Sequence, residues 1–240
     1  MSGPRILVVE HEANAGAGVV GRSLEAAGAR LEVVGPEAGT AIPAALSGFD
    51  GLIVLGGSPG PTDDDDAPWL VDARRLVAEA LDAQTPFLGI CLGAQILAVV
   101  AGGAVSDAAV PEVGLTDLEL TPEANEDPLL GGLGDDLRAM QWHFLEVTEL
   151  PSGSVSLCRS DACRNQAFRV GAQAWGVQFH LEADAETARA WAEPESAVTD
   201  LARVNLSSAD VIEPMRAHEA ELSALWAVVA RRWLDVVTTA

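Results

Sequence analysis

The chain has 240 residues, a length that suits one or two domains, and its 49% hydrophobic and 21% charged residues belong to a globular protein rather than a collagenous, linker or disulfide-scaffold chain. Its 36 acidic residues outnumber 14 basic ones, and the formal charge of −22 argues against nucleic acid and membrane surfaces as partners, since both are polyanionic. Every basic residue is Arg, and without Lys there is no P-loop lysine, Schiff-base lysine or lysine general base.

Residues 5–9 read as a buried strand, an apolar run too short for a signal-peptide core. A helix is expected over 18–27, a strand over 29–34 and another over 49–55. The last of these ends in the turn Gly56-Gly57-Ser58-Pro59-Gly60-Pro61. Four acids, Asp63 to Asp66, then precede Pro68 and a helical pattern over 69–83. Carboxylates and Pro are start signals for helices, so the acidic run reads as a solvated helix N-terminus rather than a metal site.

Residues 83–106 carry no charge for 24 positions, long enough to span a bilayer. Gln84, Pro86, Gln95 and four glycines punctuate the stretch, which reads better as a buried strand over 87–90 feeding a buried helix over 92–101. Strands alternating with helices at this spacing argue for a mostly parallel sheet covered on both faces.

Between 105 and 180 helical periodicity fades. Short apolar runs at 115–120, 138–144, 154–158, 166–170 and 175–179 suggest an antiparallel extension of the same sheet. Beyond residue 183 the pattern is helical again. Leu222, Leu225, Trp226, Val229, Trp233 and Val236 form one apolar stripe, as in a helix packed on its own domain. The three cysteines, Cys91, Cys158 and Cys163, are expected to be reduced thiols in the cytoplasm.

The string Gly89-Ile90-Cys91-Leu92-Gly93 has the glycine-x-nucleophile-x-glycine form of a nucleophile elbow, placed as required between a strand and a helix. Such a turn lifts Cys91 clear of the backbone into strained dihedrals. Side chains at Gly89 and Gly93 would collide across it. The helix that follows aims N–H groups at the sulfur and favours negative charge there, which makes the Leu92 N–H a candidate oxyanion donor. The plain alternative is a buried Cys in a chance match.

A thiol nucleophile needs a base, and the chain offers His11, His143, His180 and His218. His11 follows the first strand in a polar loop and His218 lies among Glu and Ala; both read as surface residues. His180 ends the run Gly176-Val177-Gln178-Phe179, and Glu182 two positions on shares its face in an extended chain. One His and one carboxylate lack the further ligands of a zinc site. Cys91, His180 and Glu182 therefore read as nucleophile, base and orienting group, with no metal and no cofactor.

These strings resemble the class I glutamine amidotransferases, and more narrowly their stand-alone, GMP-synthetase-like members. The resemblance extends to Leu55-Gly56-Gly57-Ser58-Pro59-Gly60, Asp64-Asp65-Asp66 before Pro68-Trp69-Leu70, Glu112-Val113-Gly114, Gln141-Trp142-His143 and Asn165-Gln166-Ala167-Phe168-Arg169, and so covers nearly the whole chain. It implies a flavodoxin-like three-layer α/β sandwich over 1–190, with a helical extension over 191–240 packed on the same domain. It also implies a γ-glutamyl thioester on Cys91, an oxyanion hole at the N–H groups of Gly57 and Leu92, and a substrate pocket that includes Gly56, Gln95, His143 and Phe144. The usual His-Pro-Glu reads His180-Leu181-Glu182, which keeps both reacting groups. Phe144-Leu145 replace the Gly-Asp that often follows the equivalent of His143, so the acyl substrate is expected to differ or to bind poorly.

No S-G-G-x-D-S pyrophosphatase loop occurs, and no cluster of cations for a nucleotide phosphate is assembled. The resemblance thus implies glutamine as substrate, with its ammonia accepted by a separate synthetase partner. The alternatives are a partner-free hydrolase of another γ-glutamyl amide or peptide, and an idle regulatory or binding member of the fold.

Overall fold

The computed structural model describes residues 3–240, so the first two positions of the 1–190 unit lie outside the described residues. A mixed sheet of nine strands forms the middle layer, in the order β2-β1-β3-β4-β9-β8-β7-β5-β6. The first five of these are mutually parallel: β2 (Arg30–Val34), β1 (Arg5–Val9), β3 (Gly51–Val54), β4 (Phe87–Ile90) and β9 (Ala174–Val177). The remaining pairs are antiparallel: β8 (Ala167–Val170), β7 (Val155–Arg159), β5 (Ala104–Leu120) and β6 (Leu137–Glu149).

Side chains alternate across the strands, so each strand feeds two cores. Ile6, Val8, Ile53 and Ile90 face one layer, where they meet α1 (Gly18–Ala26), α4 (Ala185–Ala192), α5 (Ala197–Arg203) and α6 (Ser208–Thr239). Leu7, Val9, Leu52 and Val54 face the other, covered by α2 (Leu70–Ala83) and α3 (Leu92–Val100). A strand buried on both faces reads as a continuous apolar run, which is why β1, β3 and β4 stand out in the sequence. The uncharged stretch is β4 and α3, and among the described residues no helix is long and apolar enough to cross a membrane. The apolar stripe of α6 packs as expected: Leu222, Trp226, Val229 and Trp233 are buried, while Leu225 and Val236 lie partly buried beside them.

Two expectations need correcting. The run at 175–179 does not belong to the antiparallel extension, because β9 pairs parallel with β4 and only its other edge is antiparallel, to β8. The runs at 115–120 and 138–144 are fragments of a much longer hairpin, β5 and β6, whose register shifts between Asp107 and Glu112. Its outer part, Ala104 to Pro111, is half-buried or exposed and mixes Ala and Val with Ser106 and Asp107 without a regular alternation, so its sequence does not stand out as a strand. The acids at 63–66 stand ahead of α2, as the sequence suggests, with Asp63 Oδ2 accepting from the Gly60 N–H at 2.7 Å and Asp64 pairing with Arg74 at 2.6 Å.

Candidate active site

Parallel α/β sheets bind ligands outside the carboxyl ends of their strands, where helix N-termini and loops converge. The loops after β1, β3, β4 and β9 meet in such a cleft, of about 490 Å³, with Cys91 and His180 in its wall.

Cys91 separates β4 from α3 with φ 50° and ψ −104°, a left-handed conformation that is strained for any side chain larger than Gly. The glycines around it have no room. A Cβ on Gly89 would stand 2.4 Å from the Gly93 oxygen, across the turn. A Cβ on Gly93 would stand 2.0 Å from the Val54 oxygen, so this glycine is forced by the neighbouring strand β3 rather than by the turn itself. Leu92 opens α3, and its N–H is among those an α-helix leaves without an internal acceptor.

His180 is reached by a different route from the one the sequence suggests. Strand β9 stops at Val177, and His180 forms an isolated bridge in which its N–H donates to the Met140 oxygen at 2.8 Å. A turn, not an extended segment, then returns Glu182 so that its Oε1 accepts from His180 Nδ1 at 2.6 Å. The Glu182 carbonyl is held in turn by the Val19 N–H of α1 at 2.9 Å. A carboxylate only accepts, so the proton sits on Nδ1, and Nε2 has no hydrogen-bond partner among the described residues. Burial alone would lower the pKa of His180; the opposing negative charges of Glu182 and Cys91 outweigh it and raise it above the ordinary histidine value. Gly56 lets the ring come close, since a Cβ there would be 2.9 Å from His180 Cε1 and 3.6 Å from Cys91 Cβ.

The other expected residues lie around this centre. Gly57 lines the cleft, wedged between His11 Cβ and Leu92 Cδ2, each 3.1 Å from where its own Cβ would be. Gln95 is buried and gives its Nε2 to the Leu145 oxygen at 3.2 Å and to Gln178 Oε1 at 3.3 Å. His143 is buried, with Nδ1 donating to the Leu145 oxygen at 3.1 Å and Nε2 3.3 Å from Glu112 Oε2. Phe144 lines the cleft beside them. Glu112, His143 and Cys163 are the described residues placed closely enough to share a metal ion, but Glu112 Oε2 already accepts from Ser160 Oγ at 2.9 Å and Gln166 Nε2 at 2.8 Å. Burial raises both remaining thiols, Cys158 to about 12 and Cys163 further.

Two histidines are not where expected. His11 is buried, its ring stacked on Trp69 with centroids 4.2 Å apart, because the loop after β1 folds inward under the Gly57 turn. His218 is half-buried and takes Arg138 NH1 at 3.0 Å. Sequence reasoning also missed Gln178, whose Nε2 lies 3.5 Å from Cys91 Sγ. A lone polar residue inside the apolar run before His180 was the available signal. Asp200 and Arg203 of α5 line the cleft too, and nothing local in the sequence marks them.

A sequence profile described as Glutamine amidotransferase class-I matches residues 17–192. The chain belongs to the class I glutamine amidotransferase family, the family of cysteine-dependent amidohydrolases. Among curated relatives it is similar to the glutamine amidotransferase-like protein YfeJ of Salmonella typhimurium, at 30% identity over 182 residues that cover 74% of this chain and 75% of that protein. It is 39% identical to the glutamine-hydrolysing GMP synthase of Porphyromonas gingivalis over 59% of this chain, a region that is only 26% of that enzyme. Among solved structures, a glutamine amidotransferase from Thermotoga maritima superposes with a TM-score of 0.85 at 26% identity, covering 97% of this chain and 98% of that one.

Proposed function

We propose that this member of the family hydrolyses the side-chain amide of glutamine and passes the ammonia to a separate acceptor enzyme. The observation that carries this reading is the pairing of Cys91, on its strained turn, with His180, its Nε2 free, in one cleft wall, with buried Glu182 behind the ring fixing Nδ1 at 2.6 Å.

Cys91 gives its thiol proton to His180 Nε2, its sulfur attacks the amide carbon, and the N–H groups of Gly57 and Leu92 receive the oxyanion. His180 gives its Nε2 proton to the departing nitrogen, which leaves as ammonia, and a γ-glutamyl thioester remains. Water, deprotonated by the same nitrogen, then cleaves the C–S bond and releases glutamate, restoring the thiol. Glu182 keeps the ring oriented and balances its positive charge throughout. Gln95 and Gln178 form a hydrogen-bonded floor beneath the sulfur, which supports their reading as positioning groups.

A second reading, a partner-free hydrolase of another γ-glutamyl amide, is favoured by one observation. Trp191, Asp200 and Arg203, from α4 and α5, complete the cleft wall from within the chain itself. Purified protein offered glutamine and a panel of γ-glutamyl amides, with and without candidate synthetases, separates the two. Turnover is expected to fall roughly 10⁴-fold or more in Cys91→Ala. Glutamine turnover that requires a partner supports the first reading, and efficient partner-free turnover of another amide the second. If no amide releases ammonia or amine and a glutamine-like electrophile leaves Cys91 unlabelled, both are wrong.

A further inference from the structure

The cleft wall carries a cation that the triad chemistry does not use. Arg203, the last residue of α5, is the sole Arg or Lys among the described residues lining the cleft. Its guanidinium lies over the Phe144 ring at 3.9 Å from the centroid. Stacking of this kind holds the plane of the group while consuming none of its five N–H donors. Asp200 stands 3.9 Å from Arg203 NH1, beyond hydrogen-bond reach, and its other oxygen takes Trp142 Nε1 at 3.4 Å. Arg74 and Arg169 are held by close carboxylates, Asp64 at 2.6 Å and Asp127 at 3.0 Å, whereas Arg203, like Arg138 and Arg189, has none nearer than 3.6 Å among the described residues.

A γ-glutamyl substrate must bring a carboxylate into a chain of net charge −22, past Glu12 and Asp200 on the same rim. A stacked guanidinium with its donor edge unoccupied fits that group, because a planar fork binds a carboxylate through two parallel N–H bonds. We propose that Arg203 is the substrate-carboxylate clamp of this cleft, with Phe144 as the platform that orients it. The assignment rests on the γ-glutamyl reading above and sharpens it, since the C-terminal helices then select the substrate that the triad cleaves.

The test compares glutamine with 4-aminobutanamide, the same molecule without its carboxylate. Binding is measured by calorimetry in Cys91→Ala, so that no turnover is needed, and kinetics in the active protein. Arg203→Gln is expected to weaken glutamine about ten- to a hundredfold in both binding and KM, the effect of losing a charge-assisted pair. It should leave kcat and the weaker binding of 4-aminobutanamide within about twofold. Arg203→Lys, which keeps charge but loses the fork, should recover part of the loss. Equal binding of the two compounds by Cys91→Ala, or equal weakening of both by Arg203→Gln, would overturn the clamp. A protein that releases no ammonia, yet whose carboxylate preference follows Arg203, would sink the hydrolase reading and leave the clamp standing.

Discussion

Along the parallel half of the sheet, from β2 to β9, β1, β3, β4 and β9 are closed on both faces, whereas β5 in the antiparallel half leaves much of its length half-buried or exposed. Cys91, His180, Glu182 and the Gly56-Gly57 turn all hang from the ends of parallel strands. The antiparallel half sends only the segment 142–145 of β6 into the cleft, where it meets α5 to form the outer wall. The proposed reacting groups stand on the part of the molecule with no slack, and the proposed substrate-facing wall on the part that tolerates change. That division is the expected one when chemistry demands sub-ångström placement and selectivity demands variation.

Adding one methyl group to each half tests the division most severely. Gly93→Ala drives a Cβ to 2.0 Å from the Val54 oxygen, and the first turn of α3 and the end of β3 would have to separate to admit it. A loss of about 4 kcal/mol or more is expected, enough to leave little folded protein. Gly114→Ala, on β5, has φ +92° but no neighbour nearer than 3.9 Å, so only the backbone strain of about 1–2 kcal/mol applies. Urea unfolding of the two variants measures the contrast, and similar midpoints would break it.

Next in size is Glu182→Gln, which keeps the shape of the side chain and removes its charge. A loss of roughly 10²–10⁴-fold in kcat/KM is expected, the usual worth of correctly held acid–base catalysis. The pH profile carries the more specific outcome. In the proposed reaction His180 must be protonated to give a proton to the leaving ammonia, and Glu182 is a principal cause of its raised pKa. Without that charge the imidazolium deprotonates at lower pH, so the alkaline limb of kcat/KM moves toward acid. The same sign applies to stability. A raised folded-state pKa stabilises fully below the unfolded value and is lost as pH rises through the folded one, so Glu182→Gln should cost most below the unfolded pKa of about 6.5. A profile that keeps its alkaline limb would separate Glu182 from His180.

The unevenness of the two halves also explains what could be read from the sequence. Strands β1, β3 and β4 are continuous apolar runs because two cores claim them, and the turn at Cys91 declares itself through glycines that sterics make obligatory. The pair His180 and Glu182 was legible from spacing alone, although the segment is a turn and not the strand that the spacing suggested. The parallel pairing of β9 with β4 was hidden because 87 positions separate the strands in sequence, Phe87 from Ala174, and nothing in either names its partner. Arg203 was illegible for the same reason. Its partner is Phe144, and only the folded chain brings an α5 cation over a β6 ring. The outer part of β5 has no regular alternation, so that part of the hairpin was missed.

His11 offers the gentlest test, because it concerns the support beneath the rigid half rather than the reacting groups. Its ring lies flat on Trp69, the planes 16° apart, and both of its nitrogens lack partners among the described residues. Burial holds its pKa down to about 3. The unfolded chain, with an ordinary pKa of about 6.5, therefore binds a proton that the folded chain refuses across that interval. Stability must fall as pH drops from about 6.5 toward 3 and level off below, a penalty on the order of a few kcal/mol. His11→Phe retains the stack on Trp69 and the Cβ that abuts Gly57, but has nothing to protonate. Its acid-unfolding midpoint should lie at lower pH than that of the parent, with stability and activity at pH 8 little changed. Coincident acid transitions would mean that the loop opens before His11 charges. The Gly57 turn would then belong to the yielding part of the molecule, and the line between the two halves would have to be redrawn through the first strand's own loop.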